Sequence, residues 1–489
     1  MLPRIAILTL TVGFAARAED VATARKLEEM RLPVSAFFFY GEVLRGASTG
    51  PGAAEAAAAV QRLSDALHDE MFGPNLLAKL DANAIAALPN ASAPRVHAAL
   101  ALLQYRGGKF EAAQREVDAV PKDSDAFPQA QYVAGLLAQR TAPERAVAVF
   151  NGVLSDGRSS AELRELSHLA LGRTLYGMHR YGEASAEYAK LPRFSRHWDE
   201  ALFEGAYADL MRGDPGAALG KLQSLHSPHL SDEFAPESEN LAAIVYHQHC
   251  LWPEVRTALQ RFDRIYLPMR DQVRAVLSRD PSPASLLAAL DGKGDVELPK
   301  PVRHHLRKNE RVESMLAYAA RIDDERRRVR DNEDFARSEL GTEVLDVLAQ
   351  NRDLTNDLLA KFVKGRLADL AHLIDVLEGE KDVIAFEATK GEKGFLERDV
   401  DAKKILASEA LFRPQQPSTG HEYWAFDGEY WPDEIGYYQA TIKDACPATW
   451  KEPEERALPA TGGAPQARSI GDEAPVAQAG RPEHTEARP

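Results

Sequence analysis

Small apolar residues recur at a nearly fixed interval through the middle of this chain. Ala113, Ala146, Ala184, Ala217 and Val255 are separated by 33, 38, 33 and 38 residues, and Gly172 and Gly205 repeat the interval of 33 on the segments that precede them. A period of this length constrains the fold more than any local motif. A unit so short cannot bury its own apolar face and must stack on its neighbours to build a continuous core. From Val34 to Arg264, apolar stripes at helical spacing are broken every 12 to 18 residues by Pro or Gly signals, among them Gly107-Gly108, Gly213-Asp214-Pro215 and Trp252-Pro253. Alternating runs of Val, Ile and Thr are scarce, which argues against a substantial sheet. The pattern reads helix, tight turn, helix, and predicts an all-α chain.

The contents of the units sharpen this. Leu171-Gly172 is followed by Tyr181, Ala184, Tyr188 and Leu191; an earlier unit carries Phe110, Ala113 and Val117, the next Ala146 and Phe150, and a later one Tyr246, Trp252, Val255, Leu259 and Phe262. This arrangement resembles the tetratricopeptide repeat, in which a small residue on the first helix lets the second approach. The resemblance implies an α-solenoid of degenerate helical pairs with a groove that binds a segment of a partner protein. Repeat geometry makes Tyr105, Tyr132, Arg173, Tyr176 and Tyr207, all expected on first helices, the candidate groove residues. A non-repetitive bundle whose alanines coincide by chance is the alternative.

The 489 residues divide by texture. Residues 1–18 are a signal peptide, 19–95 an N-terminal helical region, 96–270 the tetratricopeptide-like repeats, 271–412 a long-helix region, 413–450 an aromatic C-terminal segment and 451–489 a Pro-, Ala- and Gly-rich tail expected to be disordered. The signal reading rests on Arg4, the apolar run Ile5–Phe14 and Ala16-Arg17-Ala18 before Glu19-Asp20, with cleavage after Ala18. In the long-helix region Leu340, Val344, Val347, Asn351, Leu354 and Leu358 follow coiled-coil spacing, which resumes at Leu370, Leu373 and Leu377 after a break around Gly365. That predicts a helical hairpin folding back on the solenoid. Asp323-Asp324-Glu325 beside Arg326-Arg327-Arg328 and Arg330 reads as a solvated, ion-paired helix face rather than a phosphate site. Arg413 to Gly420 reads as a linker.

The segment after that linker is the least typical of the chain, with Tyr423, Trp424, Tyr430, Trp431, Tyr437 and Tyr438 close together. So many aromatic rings are costly to leave in water. Either the segment is a strap docked into the groove or against the long helices, or it is a partner-binding patch or a sugar-stacking platform. The run Tyr423-Trp424-x-Phe426-x-Gly428-Glu429-Tyr430-Trp431-x-Asp433-Glu434-x-Gly436-x-Tyr438, followed by Cys446, is similar to the ending of secreted tetratricopeptide proteins of myxobacteria and related bacteria, including one in the envelope-spanning complex for adventurous gliding motility. The resemblance implies a periplasmic scaffold in a cell-envelope machine.

The chain has two cysteines, Cys250 and Cys446, which either form a disulfide tying the aromatic segment to the last repeat or remain two free thiols. His247, His249 and Cys250, and His304-His305, lack the i,i+4 spacing that metal pairs want, so no metal site is assigned. No nucleophile elbow or phosphate loop stands out, and no catalytic residue or cofactor is assigned. Lys and Arg total 59 against 74 Asp and Glu, which opposes phosphate contacts and excludes nucleic acid as a partner. After the signal, no apolar run is long enough to span a membrane. The sequence thus predicts a non-enzymatic periplasmic adaptor whose partners are proteins of the cell envelope rather than small molecules. The alternative is a peptidoglycan- or glycan-associated cell-wall factor.

Overall fold

The computed structural model describes residues 21–46, 51–67, 69, 72–80, 82–86, 88–89, 92–397, 411–414 and 428–446. The signal peptide and the tail therefore lie outside the described residues, as do Tyr423 and Trp424. An N-terminal block comprises α1 (Val21–Glu29), α2 (Pro33–Gly46), α3 (Pro51–Leu67), α4 (Phe72–Leu77) and α5 (Ala82–Ala86). Five helical pairs follow: α6 (Ala93–Arg106) with α7 (Phe110–Asp118), α8 (Phe127–Gln139) with α9 (Pro143–Ser155), α10 (Ala161–Gly177) with α11 (Tyr181–Tyr188), α12 (Trp198–Met211) with α13 (Pro215–Leu225), and α14 (Glu237–Gln248) with α15 (Trp252–Ser278). Then come α16 (Pro283–Leu290), α17 (Lys300–Lys308), α18 (Glu310–Asp331), the short α19 (Glu333–Ala336) and α20 (Glu339–Glu397). Two strands, β1 (Leu411–Pro414) and β2 (Tyr438–Thr441), pair antiparallel with Phe412 opposite Ala440. The chain is all-α apart from this ribbon, and the pairs stack as a solenoid.

Each pair is built by the same local devices. First helices end on a residue in the left-handed region, Gly108, His179, Gly213 and Cys250, two positions before the second helix begins. Pro143 and Pro215 then occupy the first helical position, where a missing N–H costs nothing. The Asp214 carboxylate accepts from the Ala217 amide at 2.9 Å and caps α13. The fourth position of each second helix points into the core: Ala113, Ala146, Ala184, Ala218 and Val255 are all at most 1% exposed. Repeat four is thus one residue longer than the sequence spacing suggests, and Ala218 replaces Ala217 as its marker.

Close approach within a pair depends on glycine at two places. A Cβ at Gly172 would stand 2.7 Å from the Tyr188 ring, and one at Gly135 would collide with the Phe150 ring. Gly152, on an exposed face of α9, has nothing within 4 Å. Gly172→Val is therefore expected to cost about 2 kcal/mol by overpacking, whereas Gly152→Ala is expected to add roughly 1 kcal/mol from helix propensity. Thermal denaturation of the two variants checks the opposite signs; equal shifts would refute the packing account.

The long helices knit remote parts together. Tyr318, Ile322 and Val329 of α18, with Val344 and Leu348 of α20, enter the core of the N-terminal block. Further along, Leu359, Val363, Leu367 and Ile374 of α20 share a core with α15, α16 and α17, and Ala388 and Phe395 pack on the last pairs. The predicted hairpin exists as α18 and α20, but its turn lies at residues 332–338. No break occurs at Gly365, because α20 is one continuous helix of 59 residues. Its buried stripe passes through Leu348, Thr355 and Leu359, leaving Asn351, Leu354 and Leu358 half-buried. A straight helix drifts away from a strict seven-residue repeat, and α20 faces different neighbours along its length. The expected linker is also shorter, since Arg413 and Pro414 belong to β1.

Glu325 departs from the solvated face assigned to it. It is fully buried, and its carboxylate accepts from Val34 N at 2.8 Å, Ser35 N at 2.7 Å and Ser35 Oγ at 2.5 Å. A side chain of α18 thus caps the N-terminus of α2. The neighbouring charges do pair at the surface, with Asp324 reaching Arg327 at 3.0 Å and Arg328 at 3.1 Å.

Candidate interaction surfaces

The aromatic segment is a strap, and it lies on neither of the two places expected for it. It runs antiparallel along α13, a second helix, and shares a core with the start of α12. Ile435 (0% exposed), Tyr438 and Ala440 are buried there. The seat is cut by small residues: a Cβ at Gly216 would meet the Ala440 carbonyl, and one at Gly220 would collide with the Tyr438 carbonyl. Gly436 adopts φ +96° where a side chain would meet Trp198, and its amide donates to Ser224 Oγ at 2.8 Å. Gln223 Nε2 donates to the Tyr430 hydroxyl.

The far end of the strap is covalent. Cys250 and Cys446 are bonded, with Cα atoms 5.1 Å apart. Cys250 occupies the left-handed position that Gly108 and Gly213 fill in other pairs, so the bond leaves from the turn between α14 and α15. Ala445 N donates to the His249 carbonyl at 3.1 Å, extending the attachment. His247 packs against the Trp252 ring.

Of the described strap aromatics, Tyr430 and Tyr438 turn inward and meet at 5.9 Å between ring centroids. Trp431 and Tyr437 turn outward, 57% and 39% exposed, and Phe194, at 52%, shares Arg193 with Tyr437. Arg193 organises this patch. Its guanidinium lies 5.0 Å from the Tyr437 ring and 5.5 Å from the Phe194 ring, and it donates to the Asp433 carbonyl at 3.1 Å and to the Pro432 carbonyl. Arg193 and Phe194 sit in the connection between pairs three and four and carry no repeat signature, so only the docking of the strap reveals them.

The five candidate groove residues are on first helices as expected, but they are not a bare surface. Tyr105, Tyr132, Tyr176 and Tyr207 are each half-buried against a neighbouring ring: Phe110, Phe150, Tyr181 and Phe203. Arg173 Nε donates to Glu204 at 2.9 Å and Nη2 reaches Glu200 at 3.3 Å. Burial opposes its charge, yet Glu204 and Glu200 outweigh burial and hold the guanidinium firmly protonated. It is an internal fastener between α10 and α12. The first helices of pairs one and four are also covered in part by the chain itself. Arg106 pairs with Glu310 at 3.3 Å, and Lys308 with Asp199 at 2.7 Å and Glu233 at 3.0 Å.

Where α14 meets α20, two acids are perturbed. Burial, reinforced by Glu380, pushes Glu237 up to about 7, and burial likewise raises Glu380. Burial raises the Tyr207 hydroxyl of α12, and the nearby charges of Glu380 and Glu237 add to the rise. Folded Glu237 keeps its proton to about 7 while the unfolded side chain releases it near 4.5. The folded state therefore binds more protons between those values, and this residue's contribution to stability falls as pH rises through that window. Burial lowers His226 to about 3 and His305 to about 4, which gives the opposite slope below the ordinary histidine range. Comparing Glu237→Gln with the native chain isolates the glutamate: the variant's advantage in melting temperature should grow between about pH 5 and about pH 8. An advantage independent of pH would contradict the assignment.

No protein-family model and no curated protein matches this sequence. Among solved structures, the chain is similar to a Rap protein complexed with competence and sporulation factor, at 12% identity and a TM-score of 0.29, over 71% of this chain and 99% of that one. The helical-pair architecture therefore rests on the chain's own helices. Among the described residues no helix is long and apolar enough to cross a membrane.

Proposed function

We propose that this chain is a non-enzymatic protein-interaction scaffold, exported to the periplasm after cleavage behind Ala18 and working within a cell-envelope machine of the gliding-motility kind. The observation that carries the reading is the outward patch of Phe194 and Tyr437 around Arg193, with exposed Trp431 next to the Pro432 carbonyl that Arg193 holds, on a strap bonded at Cys446. Clustered, preorganised aromatic rings with an arginine are the composition of protein-binding hot spots. A disulfide using both cysteines supports an oxidising compartment. The strap's resemblance to secreted tetratricopeptide proteins supports the envelope assignment.

The test is capture of partners from bacterial envelope extracts by the native chain and by a Phe194→Ala, Trp431→Ala, Tyr437→Ala variant, all three positions being exposed enough to leave the fold intact. A defined protein complex recovered by the native chain and reduced at least about tenfold by the variant is expected, the loss of a hot-spot cluster. Recovery unchanged by the variant would overturn the patch. Co-sedimentation with purified peptidoglycan in place of protein capture would favour the cell-wall reading.

A further inference from the structure

The C-terminal part of α20 has two faces of opposite character. Its inner face is locked onto the last pairs. Ala388 and Phe395 are buried there, and a Cβ at Gly391 would stand 2.7 Å from the Trp252 ring. Lys381 pairs with Asp263 at 2.6 Å and Arg256 with Glu392 at 2.7 Å. The outer face carries Val376, Val383 and Phe386, which are 46%, 60% and 65% exposed. With Gly379 they follow spacings of 3, 4 and 3, so they form one stripe about 15 Å long. A Cβ at Gly379 would meet nothing within 4 Å, which leaves a notch in the stripe open to a partner's side chain. Single exposed apolar residues are ordinary, but a continuous stripe on a helix fastened from behind marks an interaction face.

The borders of the stripe say what fits it. The four residues occupy a and d positions of a heptad, which makes Asp375 and Asp382 its g positions and Glu380 and Glu387 its e positions. Both borders are therefore acidic. Asp375 is compensated from α15, by Arg270 at 3.3 Å and by Arg274. Asp382 meets Lys381 at 3.3 Å, a lysine already held by Asp263, and Glu387 meets Lys390 at 3.4 Å in a pair on the surface of the same helix. Surface pairs of this kind contribute little and leave the carboxylates able to meet an outside cation. A second copy of α20 would set acid against acid in either orientation, because e and g carry the same sign. A helix with basic borders complements both.

We propose that the stripe of Val376, Gly379, Val383 and Phe386 docks an amphipathic helix of a protein partner whose apolar face is bordered by Lys or Arg. The inference rests on the scaffold reading and adds a second surface to it, none of whose residues belongs to the patch around Arg193. Val383 and Phe386 supply the apolar contact, and the acids select the partner by charge.

The experiment uses the full, disulfide-bonded chain and two dye-labelled helical peptides of about 21 residues, three heptads, with Leu at a and d and either Lys or Glu at every e and g. Fluorescence anisotropy is expected to show the Lys peptide bound at least about tenfold more tightly than the Glu peptide. Val383→Ser, Phe386→Ser should abolish that binding with an unchanged melting temperature, since both side chains are exposed. The double variant keeps the net charge of the chain, so it separates docking on the stripe from general attraction of a basic peptide to an acidic protein. Asp382→Lys, Glu387→Lys should reverse the preference between the two peptides. Binding of the Lys peptide that survives loss of Val383 and Phe386, binding with no charge preference, or no binding of either peptide would each overturn this face. So would a concentration-dependent dimer of the native chain that the double variant abolishes, which would make a second copy the occupant. The scaffold reading is judged separately, by envelope capture with the Phe194, Trp431 and Tyr437 variant.

Discussion

Cys446→Ser is expected to lower the stability of the folded chain by about 2–5 kcal/mol, the range for losing a native disulfide that closes a long loop. The bond joins residues separated by 196 positions and closes the end of the strap onto the turn of the fifth pair. Reductant should shift the native chain by a similar amount and leave Cys446→Ser unmoved, which separates the bond from other effects of reduction. The strap should not leave its seat altogether, because Ile435, Tyr438 and Ala440 remain buried against α13. Amide exchange in β2 should quicken while exchange in α8 and α9 stays unchanged. Position 250 adds a second contrast. Cys250 has φ +58°, so Cys250→Gly, which relaxes the left-handed backbone, should destabilise less than Cys250→Ser. Melting midpoints that ignore reductant would refute the structural role assigned to the bond.

Glu325→Ala is expected to cost about 3 kcal/mol, as the loss of a helix cap combined with buried donors left without an acceptor. Three donors of α2 converge on this carboxylate, and none of them has water at hand. Glu325→Gln, which keeps one acceptor oxygen, should fall between, and Ser35→Ala, which removes a single donor, should cost least. Urea denaturation of the three variants gives the order directly. Since α18 reaches α2 through this contact, the same substitution should loosen the N-terminal block before the repeats, visible as early exchange in α1 and α2. A cost no greater than that of Ser35→Ala would show that the cap contributes little.

Much of the scaffold was legible from residue spacing. Turn signals such as Gly213-Asp214-Pro215 act within a few residues, and helical pairs with a small residue facing an aromatic ring, as at Gly172 and Tyr188, reflect sterics that the chain carries locally. The fourth repeat escaped because Ala217 and Ala218 are adjacent, and composition does not say which one starts the second helix's buried stripe. The interruption expected at Gly365 did not occur because packing on α15 and α16 outweighs the roughly 1 kcal/mol propensity cost of a glycine in a helix. On the candidate surfaces, the first-helix positions of Tyr176 and Tyr207 followed from the repeat, whereas the perturbed acids Glu237 and Glu380 carry no pattern that spacing could detect. Arg173 shows the reverse case, a residue correctly placed on its helix whose charge is consumed by Glu204 and Glu200.

The sequence by itself determined the helical class, the pairing of helices and the presence of an anomalous aromatic segment, because these depend on short-range periodicity, turn chemistry and the cost of leaving rings in water. Only the tertiary structure decided that the strap lies along α13, that Trp431 and Tyr437 face outward with Phe194, that Cys250 meets Cys446 and that Glu325 caps a helix nearly three hundred residues away. Each of those outcomes depends on surfaces that do not exist until the helices have stacked: a seat cleared by Gly216 and Gly220, a turn that presents one cysteine, and an N-terminus of α2 open to α18.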